Sequence, residues 1–420
     1  MTVIGVDDTD SRDLGMCTTY VAARLAERIH EAGGGVERTL LVRLNPAVEH
    51  KTRGNAALAV HCDLEADAAL TLVRDALDRA ATDDPRTNPG AVVADCAPGE
   101  VPASAVEVAE RAVREYVRPE TVRSVVDTAG LTTAQRGTGR GLVGATAAVG
   151  AWSAFGEWTY ECISYRERDR WGTPREVDRD SVFAAAEAGY PEVWDTVDRE
   201  EGTAVCVPRT PCPILHGIRG DNPEAVRAVA EAIEGEPVPR RHLFVTNQGT
   251  DAHLRPAAGE VRDGRAYRLD GRVASAPETR EGGHVFFDLD GETGRLQCAA
   301  FEPTKRFRDR VRALRAGDRL TACGEVSDGT LKLEKFAVRD LLTTERVTPD
   351  CPDCGRSMKS AGRGAGYRCR DCKTEAEGKV DRELDRRLER GWYEVPPCAR
   401  RHVARPLIRG GFDASIHPER

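Results

Sequence analysis

Lysine is scarce here: only seven of the chain's 61 basic residues are lysine, and arginine supplies the rest. Aromatic residues make up 5% of the sequence and methionine occurs three times. No apolar run approaches the roughly 20 residues of a membrane span. No basic start leads into an apolar stretch with a small-residue cleavage site, as a secretory leader would. These absences lead us to expect a soluble, cytoplasmic protein without a membrane partner. Thirteen cysteines in 420 residues are too sparse for a disulfide scaffold. Eight lie singly, as buried thiols do in a reducing cell, and five follow residue 350. The net charge of -8 argues against nonspecific coating of nucleic acid.

The charge is nevertheless uneven. From Cys351 to the C-terminus 16 basic residues face 11 acidic ones, so the acidity belongs to everything before. That asymmetry suits a localised polyanion site. The same region holds "CPDC" (351–354) and "CRDC" (369–372), two C-x2-C knuckles with fourteen residues between them. Four thiolates, Cys351, Cys354, Cys369 and Cys372, complete a closed tetrahedron for Zn²⁺, which leaves no position for activated water and makes the site structural. Cys398 and His402 supply only two ligands and stay outside the set. Tyr367, Arg363, Arg368 and Arg370 on the ribbon suit phosphates and an unstacked base. So does "RRH" (Arg400, Arg401, His402) near Trp392 and Tyr393, with Arg405 beyond it, whereas "DRELDRRLER" (381–390) reads as a solvated helix face.

Periodicity divides the rest into three units, giving an α+β multidomain chain. Over 1–127 the order is strand, helix, two strands, helix, strand, helix. Over 128–258 the small-residue helix "GRGLVGATAAVGA" opens a unit with strands "TYECISYR", "AVCVP", "PILHGI" and "HLFVTN". The helices near "SVFAAAEAG" and "PEAVRAVAEAIE" give it the split order of a ferredoxin-like sandwich. Over 264–345 three alternating strands, the amphipathic helix "RFRDRVRALRAGD" and two more strands give the order of an OB-fold barrel, which serves for oligonucleotides or as a spacer. The fourth unit is the zinc ribbon and C-terminal region, 348–420.

The chemistry points to "GVDDTDSRDLGMCTTY" (5–20). Asp7, Asp8 and Asp10 crowd the end of a strand, Asp13 follows, and Thr18 and Thr19 open a helix. Like charges this close raise one another's pKa unless a cation neutralises them, and Mg²⁺ held with phosphate oxygens is the usual answer. The helix N-terminus beside it favours phosphate. The loop "HKTRGN" (50–55) supplies the complement: Lys51 and Arg53 flanking Thr52, Gly54 for close backbone approach, then Asn55. One aspartate would suffice to cap the helix, and four favour a metal–phosphate site. Neither stretch is a Walker motif. "GTGRGLVG" (137–144) does not read as following a strand, as a dinucleotide fingerprint must.

Five blocks, "GVDDTDSRDLGMCTTY", "RLNPAVEHKTRGNAA", "GTGRGLVGATAAVGA", "TYECISYR" and the ribbon, occur in this order and together resemble the archaeal agmatinylcytidine synthetase family. The resemblance implies a kinase-like ATP domain, a ferredoxin-like domain, an OB fold and a zinc ribbon. It implies a ligase that uses ATP to join agmatine to carbon 2 of the wobble cytidine of the isoleucine tRNA with a CAU anticodon. By motif match Asp7, Asp8 and Asp10 hold Mg²⁺–ATP, and Lys51, Thr52, Arg53, Gly54 and Asn55 line the phosphates. Thr18 matches the threonine that becomes phosphorylated. The family's aromatic before KTRGN is His50 here, so no stacking role carries over to it. Two other readings fit the residues: a nonenzymatic tRNA-binding protein, and a kinase-like enzyme acting on a small amine without RNA.

Overall fold

Alternation along the first strand sets up everything around it. In β1 (Thr2–Asp7) Val3 packs to one side of the sheet, Ile4 and Val6 to the other. Asp7 therefore shares a face with Val3 and Gly5. The computed structural model describes residues 1–420 except 12, 14, 49–53, 258 and 293. After β1 come α1 (Thr18–Glu31), β2 (Val36–Arg43), β3 (Ala56–Cys62), α2 (Ala66–Leu77), β4 (Gly90–Ala94) and α3 (Ala103–Arg114). Helix α1 buries Val21, Leu25 and Ile29 at four-residue spacing. Then follow two elements absent from the periodicity reading, α4 (Pro119–Thr128) and β5 (Thr132–Gln135), and after them α5 (Leu142–Ala154). The glycine-rich loop 137–141 thus does follow a strand, though one of only four residues, too short to carry a pattern.

Helix α5 packs on β1, β3 and β4 and against α3. Close approach is possible because β1 offers Gly5, where a Cβ would collide with the Ala145 carbonyl. The second unit contributes β6 (Thr159–Tyr165), α6 (Arg179–Gly189) and β7 (Val193–Trp194), then a small hairpin, β8 (Val197–Asp198) and β9 (Thr203–Ala204). It ends with β10 (Ile214–Gly220), α7 (Pro223–Ala232) and β11 (Arg240–Thr246). The strand expected over "AVCVP" is therefore confined to β9. The chain turns at 205–209, and Val205, Cys206 and Pro208 line a cleft instead. Both units share one nine-stranded sheet, in the order β5-β4-β1-β3-β2-β11-β6-β10-β7. Its single parallel seam, β2 with β11, pairs Leu40 with Val245 and Leu41 with Thr246.

The barrel is entered through β12 (Leu254–Pro256). It comprises β13 (Arg265–Val273), a short β14 (Glu278–Thr279), β15 (Val285–Gly291), β16 (Gly294–Ala300), α8 (Phe307–Arg312), β17 (Arg319–Ser327) and β18 (Thr330–Asp340). β13, β15, β16, β18 and β17 close on themselves because β17 pairs with both β13 and β18. This is the expected OB fold. Its helix is only six residues long, and after its C-cap, Ala313, the chain runs on to Gly317 and the buried Asp318, where it turns into β17.

Beyond the barrel lie β19 (Thr344–Val347), the ribbon strands β20 (Lys359–Ser360), β21 (Tyr367–Arg368) and β22 (Glu375–Ala376), and β23 (Val380–Glu383), which pairs with β19. β24 (Gly391–Glu394) rejoins the barrel on β18, and β25 (Ile416–His417) lies parallel to it. The helix expected over 381–390 is absent. That segment is strand and coil, and Arg386 is turned inward on Asp318 at 2.6 Å. Among the described residues no helix is long and apolar enough to cross a membrane.

Candidate active site and zinc ribbon

The face of the shared sheet that carries its strand ends opens into a cleft of about 340 Å³. Asp7, Asp8, Asp10, Thr18, Gly54 and Asn55 all line it. The sequence-derived site residues Lys51, Thr52 and Arg53 lie outside the described residues.

Asp7 sits against α5. A Cβ on Gly144 would fall on its carboxylate, so this glycine is what admits the acid beside the helix. Asp8 has a left-handed backbone (φ 59°), which swings its side chain back toward the 137–141 loop. There Arg140 donates to Asp8 Oδ2 from Nε (3.0 Å) and from a terminal nitrogen (2.8 Å). Asn88 holds that loop, accepting from the Thr138 N–H and hydroxyl at 2.9 Å each. Thr87 donates to the Asp10 carbonyl at 2.7 Å.

Burial, followed by the charge of Asp8, holds the Asp7 carboxyl well above the usual carboxylate range. Burial also raises Asp8 to about 6, against the opposing pull of Arg140. Arg140 pairs with Asp8, and carboxylates gathered at one buried point are the hard oxygen donors a divalent cation takes. The residues thus fit Mg²⁺. Thr18 opens α1, and its hydroxyl accepts from Thr9 at 3.1 Å. The N-cap, Cys17, makes no side-chain cap bond to the backbone of the first turn; its Sγ lies 3.1 Å from the Thr19 hydroxyl.

The opposite wall was not foreseen. Arg43 ends β2 and is held by three neighbours: its N–H donates to Asn247 Oδ1 (2.7 Å), Nε to Gln248 Oε1 (3.2 Å) and a terminal nitrogen to the Gly54 carbonyl (3.3 Å). Glu161 of β6 lies 3.8 Å from it and also accepts from Gln248 at 2.5 Å. Arg219 of β10 reaches His402, a residue from the far C-terminal region. The strand residues Arg43, Glu161 and Arg219 sit at unremarkable positions in alternating patterns, and only the fold gathers them. Of the arginines read as RNA ligands, Arg400 turns inward, and Arg401 and Arg405 are engaged by carboxylates of the protein. Arg400 pairs with Asp195 and Glu394, Arg401 with Glu325 and Glu334, and Arg405 with Glu157. Trp392 and Tyr393 are core residues.

At the ribbon, one ligand atom from each of Cys351, Cys354, Cys369 and Cys372 lies within 4.8 Å of the others. The two knuckles repeat one hydrogen-bond pattern: the Cys351 and Cys369 N–H groups donate five residues ahead, to Arg356 and Thr374. Gly355 and Lys373 N–H groups donate back to the cysteine carbonyls. The Cys354–Cys369 sulfur separation of 3.7 Å is what a tetrahedron of ~2.3 Å Zn–S bonds requires. The ribbon holds structural zinc.

Family models match the chain in the same order as its units. The TiaS TCKD domain covers residues 3–138, the TiaS FLD domain 139–253, an OB-fold nucleic acid binding domain 267–334, and the TiaS C-terminal zinc ribbon domain 348–388. The isoleucine-tRNA 2-agmatinylcytidine synthetase TiaS of Haloquadratum walsbyi is 52% identical over 462 residues, covering all of both chains. This chain belongs to the isoleucine-tRNA 2-agmatinylcytidine synthetase family. The Methanosarcina mazei member is 46% identical, with 97% of each chain covered. A solved complex of TiaS with its isoleucine tRNA and ATP matches with a TM-score of 0.89 at 40% identity, covering 100% of this chain and 99% of that one. A complex of TiaS with the same tRNA, AMPCPP and agmatine matches at 0.87 and 38% identity with the same coverage.

Proposed function

We propose that this protein is the ATP-dependent ligase that joins agmatine to carbon 2 of the wobble cytidine of the CAU-anticodon isoleucine tRNA. The product is 2-agmatinylcytidine, with AMP and phosphates released, and the reaction takes place in the cytoplasm. The observation that carries this reading is the acidic cleft around Asp7, Asp8 and Asp10. Thr18, Gly54 and Asn55 line the same cleft, in a chain that matches the family from end to end.

Asp7, Asp8 and Asp10 are the residues that hold Mg²⁺–ATP. When bound, the ion neutralises phosphate charge and orients the transferring group. Lys51, Thr52, Arg53, Gly54 and Asn55 line the phosphates, and Thr18 accepts a phosphoryl group. The oxygen on carbon 2 of the base is a poor leaving group, so it is first phosphorylated. The primary amine of agmatine then forms the C–N bond as the phosphate leaves with the oxygen. Glu161, a carboxylate on the second wall, would suit a cationic end of agmatine. The base must leave its stack to be reached, which costs little in an anticodon loop. The barrel and ribbon hold the RNA.

The test incubates the protein with Mg²⁺–ATP, labelled agmatine and unmodified tRNA, digests the RNA and looks for labelled cytidine. Label in that nucleoside, dependent on ATP, is expected. Folded protein that binds ATP and tRNA yet transfers no label would sink the reading.

A further inference from the structure

After β24 the chain runs back from the barrel to the sheet. Along this strap the Gly249 N–H donates to the His402 carbonyl (2.8 Å), and the Asp251 N–H to that of Val403 (2.9 Å). The turn that grips the strap, 247–251, is also the one that supplies Asn247 and Gln248 to Arg43. His402 is therefore fixed in the same frame as the cleft wall, and its ring is exposed to the cleft.

The chemistry of the ring follows from its neighbour. A terminal nitrogen of Arg219 lies 3.1 Å from His402 Nδ1. A guanidinium can only donate, so Nδ1 accepts, and the single proton of the neutral ring sits on Nε2. The cation at Arg43, with that of Arg219 adding to it, holds this imidazole well below its ordinary pKa, so it stays neutral. The ring edge comes near Gly54 of the phosphate loop: a Cβ there would meet Arg43 at 2.7 Å and His402 Cδ2 at 3.8 Å. The facing carboxylates are Glu161, 3.8 Å from Arg43, and Asp195, 4.0 Å from Arg219 and paired with Arg400. Neither stands at hydrogen-bond distance from the two guanidiniums.

We propose that His402 is a further substrate-binding residue, whose Nε2–H donates to a phosphate oxygen lodged in the cleft between Arg43 and Arg219. This rests on the functional reading above. The shared chemistry is an anionic phosphate oxygen, and its source is either ATP or the phosphodiester of the target nucleotide.

Two conservative variants separate the donor from the scaffold. Asparagine keeps an acceptor for Arg219 near Nδ1 but places nothing at Nε2, whereas glutamine places an amide N–H there. Two measurements are made on the full chain. One is the affinity of a non-hydrolysable ATP analogue with Mg²⁺ and no RNA; the other is the KM for tRNA at saturating ATP and agmatine. His402→Asn is expected to weaken one of them by about tenfold or more, as loss of a hydrogen bond to a charged group does. The arm that moves names the source of the phosphate. His402→Gln is expected to stay within about threefold of the parent, with melting temperatures alike for all three. The proposal is overturned if His402→Asn leaves both quantities within about twofold, or if His402→Gln is as impaired as His402→Asn. A parent that binds the analogue but transfers no agmatine defeats the functional reading alone, since the nucleotide arm still reports on His402.

Discussion

Asp7 owes its place to a period of two. Because Val3, Gly5 and Asp7 share a face of β1, the helix drawn down by Gly5 meets the acid two residues later, at Gly144. Gly144→Ala should thus displace Asp7 and lower agmatine incorporation about tenfold or more, as misplacement by ~1 Å can. Alanine is the better helix former by about 1 kcal/mol, so a loss measured at unchanged melting temperature belongs to the site. Thr18→Ala and Asp7→Ala should each abolish modification while filter binding of tRNA stays near parental. An Asp7 variant that lost RNA but kept ATP turnover would reassign the first unit. At this scale the sequence was legible wherever charge is locally dense: four acids within seven residues, 7–13, cannot be an ordinary strand end. Arg43, Glu161 and Arg219 were not, since each is one polar residue in an alternating strand whose meaning comes from partners on other strands. His402 was visible as half of an incomplete metal pair and as the end of "RRH", and neither reading put it in the cleft.

Among elements, the ribbon was the most legible, because a metal demands fixed ligand spacing regardless of what surrounds it. Stripping zinc with a chelator should unfold the ribbon and weaken tRNA binding while leaving ATP-analogue affinity intact. Parallel titrations of both ligands would show the split, and equal loss of both would tie the ribbon to the cleft. The strap was the least legible. Arg400 and Asp195 are 205 residues apart, so no local pattern announces their pairing. Arginine near an aromatic is the composition of an RNA-binding surface and equally that of an internal clamp. The short α8 and the missing helix over 381–390 have the same origin. Amphipathic spacing was present, but inward pairing of Arg386 with Asp318 prevailed over the helix. Glu334, on β18, ties the barrel to this strap through Arg401 at 2.9 Å and to His253 at 2.9 Å. Burial opposes its charge, but His253, then Arg401 and Lys335, lower its pKa to about 2. Its contribution is complete above the ordinary value of 4.5 and lost as pH falls from there toward 2. Glu334→Gln should flatten the acid limb of a stability–pH curve over that window.

For the whole molecule, the shared sheet buries His61 on β3 and His216 on β10. Burial first, and a nearby arginine second, bring both to about 4 from 6.5. Between those values the unfolded chain takes up protons that the folded one refuses, so stability must fall as pH drops from 6.5 to 4. Denaturant midpoints across that range should fall steadily, and His216→Gln should shallow the slope. The OB-fold barrel was readable from periodicity because its strands and helix pack a local pattern. The fusion of the first two units into one sheet was not, since the joining pairs, Leu40 with Val245 and Leu41 with Thr246, connect residues some two hundred positions apart. The fusion has a consequence for how choices among substrates are made. Both walls of the cleft stand on one continuous sheet, and among the described residues no hinge lies between them to close on the right molecule and stay open for the wrong one. Discrimination must then be exercised by fit to a space already formed, and the binding energy of a large RNA goes into orientation rather than into shaping the cavity.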